Sequence, residues 1–368
     1  MEKLFPTDRL TKLERVRRTL NHQPVDRVAI HDQLSYNPTV IAFYSGKNIR
    51  GFNFTIDDIC VAIRKTLDIC FPPVAPQGTK RVTREDGLTI QYDEWTGWVV
   101  GRSFKDEVGA RDWLIGRIKA MRESRFDAAA VRSEYRSRIL DLQSKVGETV
   151  IFDYPAATGL CSVYSDQGMG LELFTYFYDA YPEVFHDYME LFVQQELRKL
   201  HAIADTALSP VVLIAEDFAT KQGPLFSPEF LRQHHYPYVK ALADAWRSHG
   251  YKVIYHSDGN FRKSIPELIQ CGVDGFYCLE PNCGMDIVEL KRTWPGMLWA
   301  GGVDGVDLLE RGTPEQVRAE VRRQIQESDA LRTGGMFLGS SSEINPPILL
   351  DNFRAMIEAA GEVHNSKF

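Results

Sequence analysis

The sequence predicts one (β/α)8 barrel of the α/β class spanning residues 1–368, and three observations carry that expectation. Eight short apolar runs recur at 28–31, 68–71, 149–153, 211–216, 252–256, 275–280, 298–301 and 335–339, with helical segments between them. The runs are apolar almost throughout, as strands covered on both faces are. Polar residues follow most of them, at what would be the C-terminal strand ends, where barrels of this kind carry their chemistry. Continuous apolar character also suits an open doubly wound sheet, but eight alternating units favour closure.

The intervening elements are marked in turn. Thr11 to Asn21 (TKLERVRRTLN) is amphipathic and basic; Glu14 and the strand that follows argue for a helix packed on the barrel end rather than a targeting segment. Residues 80–100 (KRVTREDGLTIQYDEWTGWVV) alternate and turn at Asp86-Gly87, which predicts a β-hairpin excursion above the barrel. Trp95 and Trp98 on it either line an aromatic pocket or pack the hairpin down. Ser227-Pro-Glu opens a helix running to Arg247-Ser-His-Gly250, Thr313-Pro-Glu repeats the start signal, and Asp351 begins the closing helix.

Composition narrows the function classes. With 44% hydrophobic and 25% charged residues the chain can bury a large core. A net charge of -7, with no basic block longer than Arg15 to Arg18, argues against a nucleic-acid partner. The N-terminal segment lacks the apolar run of a signal peptide, and no stretch approaches the roughly 18 apolar residues of a membrane span. The expectation is a cytoplasmic protein, with a homodimer compatible. Six cysteines, at 60, 70, 161, 271, 278 and 283, form no CxxC pair. They read as reduced and mostly structural, with a ligand role open for Cys278 and Cys283, which flank Glu280.

The strand ends gather acid. Strand three leads to Asp153-Tyr154, strand four to Glu216-Asp217-Phe218, strand five to His256-Ser-Asp258, strand six to Glu280, strand seven to Asp304, and strand eight to Ser340-Ser-Ser342-Glu343. Carboxylates crowded in a partly desolvated mouth call for a cation or a basic substrate group. His256 and Asp258 share one side of their strand by the period of two, and Glu280 arrives from the neighbouring strand. One imidazole and two carboxylates suit a three-ligand zinc site with an open position, with iron or manganese close behind. A metal-free arrangement, with His256 as a neutral acid oriented by carboxylates, fits the same spacing.

The run HSDGNFRKSIPELIQCGVDGFYCLEP, then GMDIVELKRTWPGMLWAGGVD and GGMFLGSSSEINP, resembles the C-terminal half of the uroporphyrinogen decarboxylase family. RVRRTLNHQPVDRVAI and AEDFATKQGPLFSPEFLRQHHYPYVK are similar to its broader pattern, so the resemblance covers nearly the whole chain. It implies a barrel and one of two chemistries: metal-free porphyrinogen decarboxylation, or zinc-dependent methyl transfer involving a corrinoid on a partner protein. The decarboxylases show an Arg-rich motif with the sense of MRQAGRY that grips propionates; after Ile30 this chain reads HDQLSYNP. The methyltransferase branch binds zinc through a His-x-Cys pair and a later Cys. Here those positions read His256-Ser-Asp258 and Ser340 to Ser342, with Glu280 resembling a further carboxylate ligand.

A harder ligand shell leaves a stronger Lewis acid, which suits activation of a methoxy group. The resemblance therefore implies a methyl donor of small methoxylated type, and Tyr154, Phe218, Trp95 and Trp98 make an aromatic donor the expectation. Glu216 or Asp217 would protonate or orient the leaving oxygen, and Asp153, Tyr154, Phe218, Asp304 and Ser342 would position the substrate. No corrinoid-binding signature occurs in the sequence, so the corrinoid would come on a separate protein. Decarboxylation is the alternative, and a non-catalytic small-molecule binder on the same barrel a further one.

Overall fold

The computed structural model describes residues 4–365. Parallel strands form at all eight apolar runs: β1 (Ala29–Asp32), β2 (Ile69–Cys70), β3 (Val150–Ile151, continued after Phe152 as Asp153–Ala156), β4 (Val211–Ala215), β5 (Lys252–His256), β6 (Gly275–Leu279), β7 (Leu298–Val303) and β8 (Met336–Ser340). Their order around the sheet is β3-β2-β1-β8-β7-β6-β5-β4 and back to β3. The first half of β3 pairs with β2 and the second half with β4, so the barrel closes through one interrupted strand.

Strand alternation sorts the side chains into two cores. Val211, Leu213, Ile254, Leu298, Ala300 and Phe337 fill the interior. Val212, Ile214, Val253, Tyr255, Trp299 and Leu338 face the helices. The helix Lys12–Leu20, capped by Thr11, inserts Val16 and Leu20 into the interior cluster. Thr19 also accepts the amide of Gly335 just before β8, which sets this helix against the N-terminal end of the barrel, as its amphipathic pattern predicts.

An ion network fastens that plug. Arg15 and Arg27 are almost fully buried; Arg15 meets Asp68 at 2.8 Å and Asp26 at 2.7 Å, and Arg27 meets Asp68 at 2.6 Å and Asp8 at 2.8 Å. Asp68 also accepts the Ile30 amide at 2.9 Å, so one carboxylate joins the plug to β1 and the start of β2. Burial alone would raise the Asp68 carboxyl, but Arg27 and Arg15 outweigh it and hold it below the ordinary carboxylate range.

Two local expectations change in detail. Ser227 caps Pro228–His234, but the helix breaks at His235 before Tyr236–Ser248, because Pro237 has no amide proton to continue the ladder. The excursion is a three-stranded antiparallel meander (Lys80–Thr83, Thr89–Tyr92, Gly97–Gly101) rather than a two-stranded hairpin, with the Asp86-Gly87 turn where expected. Thr313 and Gln316 form a reciprocal capping box on Pro314–Glu327, and Leu350–Glu362 closes the chain's packing. Among the described residues no helix is long and apolar enough to cross a membrane.

Removing one carboxylate from the network leaves two buried guanidinium groups under-paired. Asp68→Asn is therefore expected to cost about 3–5 kcal/mol in urea unfolding; a loss below about 1 kcal/mol would show the network to be dispensable. With its pKa depressed by folding, Asp68 contributes stability that is present above the ordinary carboxylate range and disappears as pH falls through the lowered value.

Candidate active site

Strand β5 ends at His256 and its extension carries Asp258. The His256 Nε2 lies 3.8 Å from an Asp258 oxygen and Nδ1 lies 3.4 Å from Asp217, out of hydrogen-bond alignment, so Nδ1 is buried without a partner. Asp217 in turn accepts the Asp258 amide at 3.0 Å, which ties the β4 and β5 ends together.

The third member comes from β6. Between Tyr277 and Leu279 the register with β7 shifts, and Cys278 adopts a positive φ of 70°. Outside glycine and Asn/Asp this conformation costs roughly 1–3 kcal/mol. The bulge sends both Tyr277 and Cys278 to the interior, while Phe276 and Leu279 face the helices. The Cys278 sulfur sits 2.7 Å from Asp258 and 2.7 Å from the Ser341 carbonyl, although a thiol has one proton to donate. His256, Asp258 and Cys278 each present a donor atom within 4.8 Å of the other two.

Electrostatics keep this cluster short of positive charge. Burial, followed by the negative charge of Asp258, pushes the Cys278 thiol well above its ordinary pKa. Asp258 has half its side chain in solvent, yet desolvation of the carboxyl group and the charge of Asp217 raise its pKa despite His256 and Cys278. The donors suit a soft-to-borderline divalent cation: thiol, imidazole and carboxylate, with one imidazole nitrogen unsatisfied.

Glu280 stands beside the cluster rather than inside it. Its carboxylate accepts the Gly259 amide at 2.6 Å, and burial raises its pKa. Gly259 is required there: its φ is 76°, and a Cβ would lie 2.7 Å from the Thr220 carbonyl. Both oxygens of Glu216 are engaged, by the Thr158 hydroxyl at 2.6 Å and the Gly159 and Cys161 amides at 2.8 and 2.9 Å. That carboxylate anchors the 157–161 loop.

The remaining sequence-selected residues separate. Asp153 pairs with Arg138 at 2.6 Å. Asp304 caps the turn Gly305–Glu310 through the Val306 and Asp307 amides. Ser342 donates to Glu343 at 2.6 Å. Phe218 is fully buried against His235 and Tyr255 in the outer core and is not brought to the mouth. Tyr154 is 46% exposed and meets Phe71 edge-on at 5.6 Å.

An aromatic wall, unselected by sequence patterning, faces the donors. Phe71 stacks on Phe152 at 5.1 Å, His31 contacts Phe71, Phe152 and Tyr277, and Tyr277 contacts His256 at 5.3 Å. His31 is 1% exposed, both its nitrogens lack partners, and burial lowers its pKa to about 3. Trp95 reaches back from the excursion to contact Tyr36 at 5.9 Å, whereas Trp98 is 56% exposed.

The family profile described as Uroporphyrinogen decarboxylase (URO-D) matches residues 158–363, more than half the chain and including every strand-end residue from β4 to β8. The chain belongs to the URO-D family. A methyltransferase from Methanosarcina mazei shares the URO-D family member's fold, with a TM-score of 0.64 and 18% identity over 96% of this chain and 99% of that one. At that identity the likeness concerns fold alone. Dispersin B superposes at a TM-score of 0.34 with 11% identity, covering 92% of this chain and 99% of that one, too little to carry an argument. No curated protein matches the chain.

Glu216→Gln replaces an acceptor with an amide group facing backbone donors. It is expected to cost about 1–3 kcal/mol and to speed hydrogen exchange at Gly159 and Cys161; unchanged exchange there would remove the anchoring role.

Proposed function

We propose that this URO-D family member is a metal-dependent methyltransferase that moves a methyl group from a small methoxylated aromatic compound to a corrinoid on a partner protein. The convergence of His256, Asp258 and Cys278 beside an aromatic wall carries the reading. These three would hold zinc with a fourth position open. When bound there, zinc supplies Lewis acidity toward an ether oxygen.

The chain's own groups do the rest. Asp217, with an oxygen 3.4 Å from the buried Nδ1, is the carboxyl group placed to pass a proton to the leaving oxygen. The methyl carbon–oxygen bond breaks as the methyl group passes to the corrinoid, the second substrate; the phenolic oxygen keeps the bonding pair and takes the proton. Glu216 keeps the loop behind Asp217 in place, and Glu280 holds the Gly259 turn that carries Asp258. Tyr154, half-exposed and held edge-on by Phe71, offers ring surface against which an arene packs.

Metal analysis and turnover test this together. Purified protein should carry about one zinc per chain, retained in Glu280→Gln and lost in His256→Ala and Cys278→Ala. Zinc-loaded enzyme should methylate a corrinoid protein from a methoxyarene, and chelation should abolish it. A metal-free protein that binds porphyrinogens tightly would replace this reading with decarboxylation.

A further inference from the structure

We infer that the N-terminal end of the barrel carries a binding site for a small oxyanion, a phosphate group in particular, centred on Lys291. The site is a cavity of about 620 Å³ between the turn at His22, the end of the helix Ile287–Thr293 and the short helix Ala330–Thr333. Gly335, just before β8, lies so close to the His22 ring that a Cβ there would sit 2.5 Å from Nδ1, which places the cavity at the end of the barrel opposite His256 and Asp258. Its existence does not depend on the methyl-transfer reading.

Lys291 is 5% exposed, yet it lines this cavity. A lysine ammonium has three protons to donate. Lys12, also packed at this end of the barrel, uses all three, on the Arg64 and Leu67 carbonyls and the Thr149 hydroxyl. Lys291 has a single partner among the described residues: the Thr333 hydroxyl at 2.8 Å, whose own proton goes to the Asp329 carbonyl. Asp329, whose charge reaches Lys291, is paired with Arg332 instead. Two ammonium protons therefore remain for an acceptor in the cavity. Burial holds the Lys291 pKa below the ordinary lysine range, as befits a cation without an adjacent counter-charge.

The rim adds donors of the same kind. Arg292 is exposed and makes no ion pair among the described residues, and Arg332 stands beside it with Asp329 as its partner. The Ser328 hydroxyl, nearly buried in the wall, donates to the Met336 sulfur at 3.2 Å, a weak acceptor that a stronger one can replace. Glu327 is the acid that lines the cavity, and it leans toward Arg323 at 4.0 Å. A buried cation short of partners is costly, and an anion relieves that cost. A tetrahedral phosphate can take the Lys291 protons on one oxygen and the Arg292 fork on others, a wider spread than the two coplanar oxygens of a carboxylate provide.

Calorimetric titration with inorganic phosphate at constant ionic strength tests the inference without requiring turnover. Saturable binding of about one phosphate per chain is expected, weakened at least about tenfold in Lys291→Met and to a smaller extent in Arg292→Ala. Lys291→Met keeps the apolar stem and removes an under-paired cation, so without phosphate its thermal midpoint should be unchanged or higher. A lower midpoint with unaltered phosphate affinity would give Lys291 a purely structural part and overturn the inference. No saturable heat up to about 10 mM phosphate, or an affinity unchanged in Lys291→Met, overturns it as well. If that variant does not fold, an affinity unchanged in Arg292→Ala does so. AMP titrated in parallel separates the sources: tighter binding than phosphate supports the site with a phosphate monoester as its occupant, and weaker binding supports it with free phosphate.

Discussion

At Cys278 the sixth strand takes an extra residue against its neighbour, and the meeting of thiol, imidazole and carboxylate beside Tyr277 depends on that bulge. A regular strand would turn Tyr277 and Cys278 to opposite faces. The bulge turns both inward, so the ring of Tyr277 reaches His31 and His256 while the thiol reaches Asp258. A non-glycine residue at φ 70° is a standing cost. Glycine would relieve the strain but would remove the sulfur, so the side chain at 278 outweighs the backbone preference.

The barrel's opposite ends carry different kinds of buried charge. At the N-terminal end, Arg15 and Arg27 are answered by Asp8, Asp26 and Asp68, and the pKa of Asp68 falls. At the C-terminal end, acids meet acids, and Asp258 and Glu280 rise. Asp32, buried beneath Ser340 with Glu343 nearby, is pushed up to about 8. A satisfied network stiffens the closed end, and a surplus of carboxylate at the open end is relieved by binding a cation, a proton or a hydrogen-bond donor. The division matches the separation of stability and function between the two faces of such barrels.

All eight strands were legible because burial on both faces writes a continuous apolar run, and the Ser227 and Thr313 caps were legible because a capping hydroxyl beside proline has few other uses. The break at His235 was hidden by apolar spacing that continues through Pro237. The candidate site was legible at His256 and Asp258, two residues on one strand end. Cys278 was not separable from an ordinary buried thiol, since periodicity carries no sign of a bulge. Glu216 looked like its neighbour Asp217; its three donors come from a loop about 55 residues earlier, which no local pattern reports. Phe218 follows the same strand end, yet its ring turns to the helices.

Bringing Cys278 to His256 and Asp258 also changes the chemistry argued from the missing thiols. Sequence comparison implies an all-hard shell, because positions 258 and 340–342 hold no sulfur. The bulge returns one thiol from a different strand. A thiolate donates more electron density than a carboxylate, so a metal held by this trio would be a weaker Lewis acid than one in a His/Asp/Glu shell and a stronger one than one held by His with two thiolates. In the proposed methyl transfer, such an intermediate shell would need help to expel a phenoxide, and that help would fall to a proton delivered at the leaving oxygen. Asp217 lies 3.4 Å from the imidazole with one oxygen accepting the Asp258 amide, whereas both oxygens of Glu216 are occupied. Under the proposed reaction, the division of labour between the two adjacent acids would follow from the thiol: the weaker the electrophile, the more the step would depend on the carboxyl group that remains exposed.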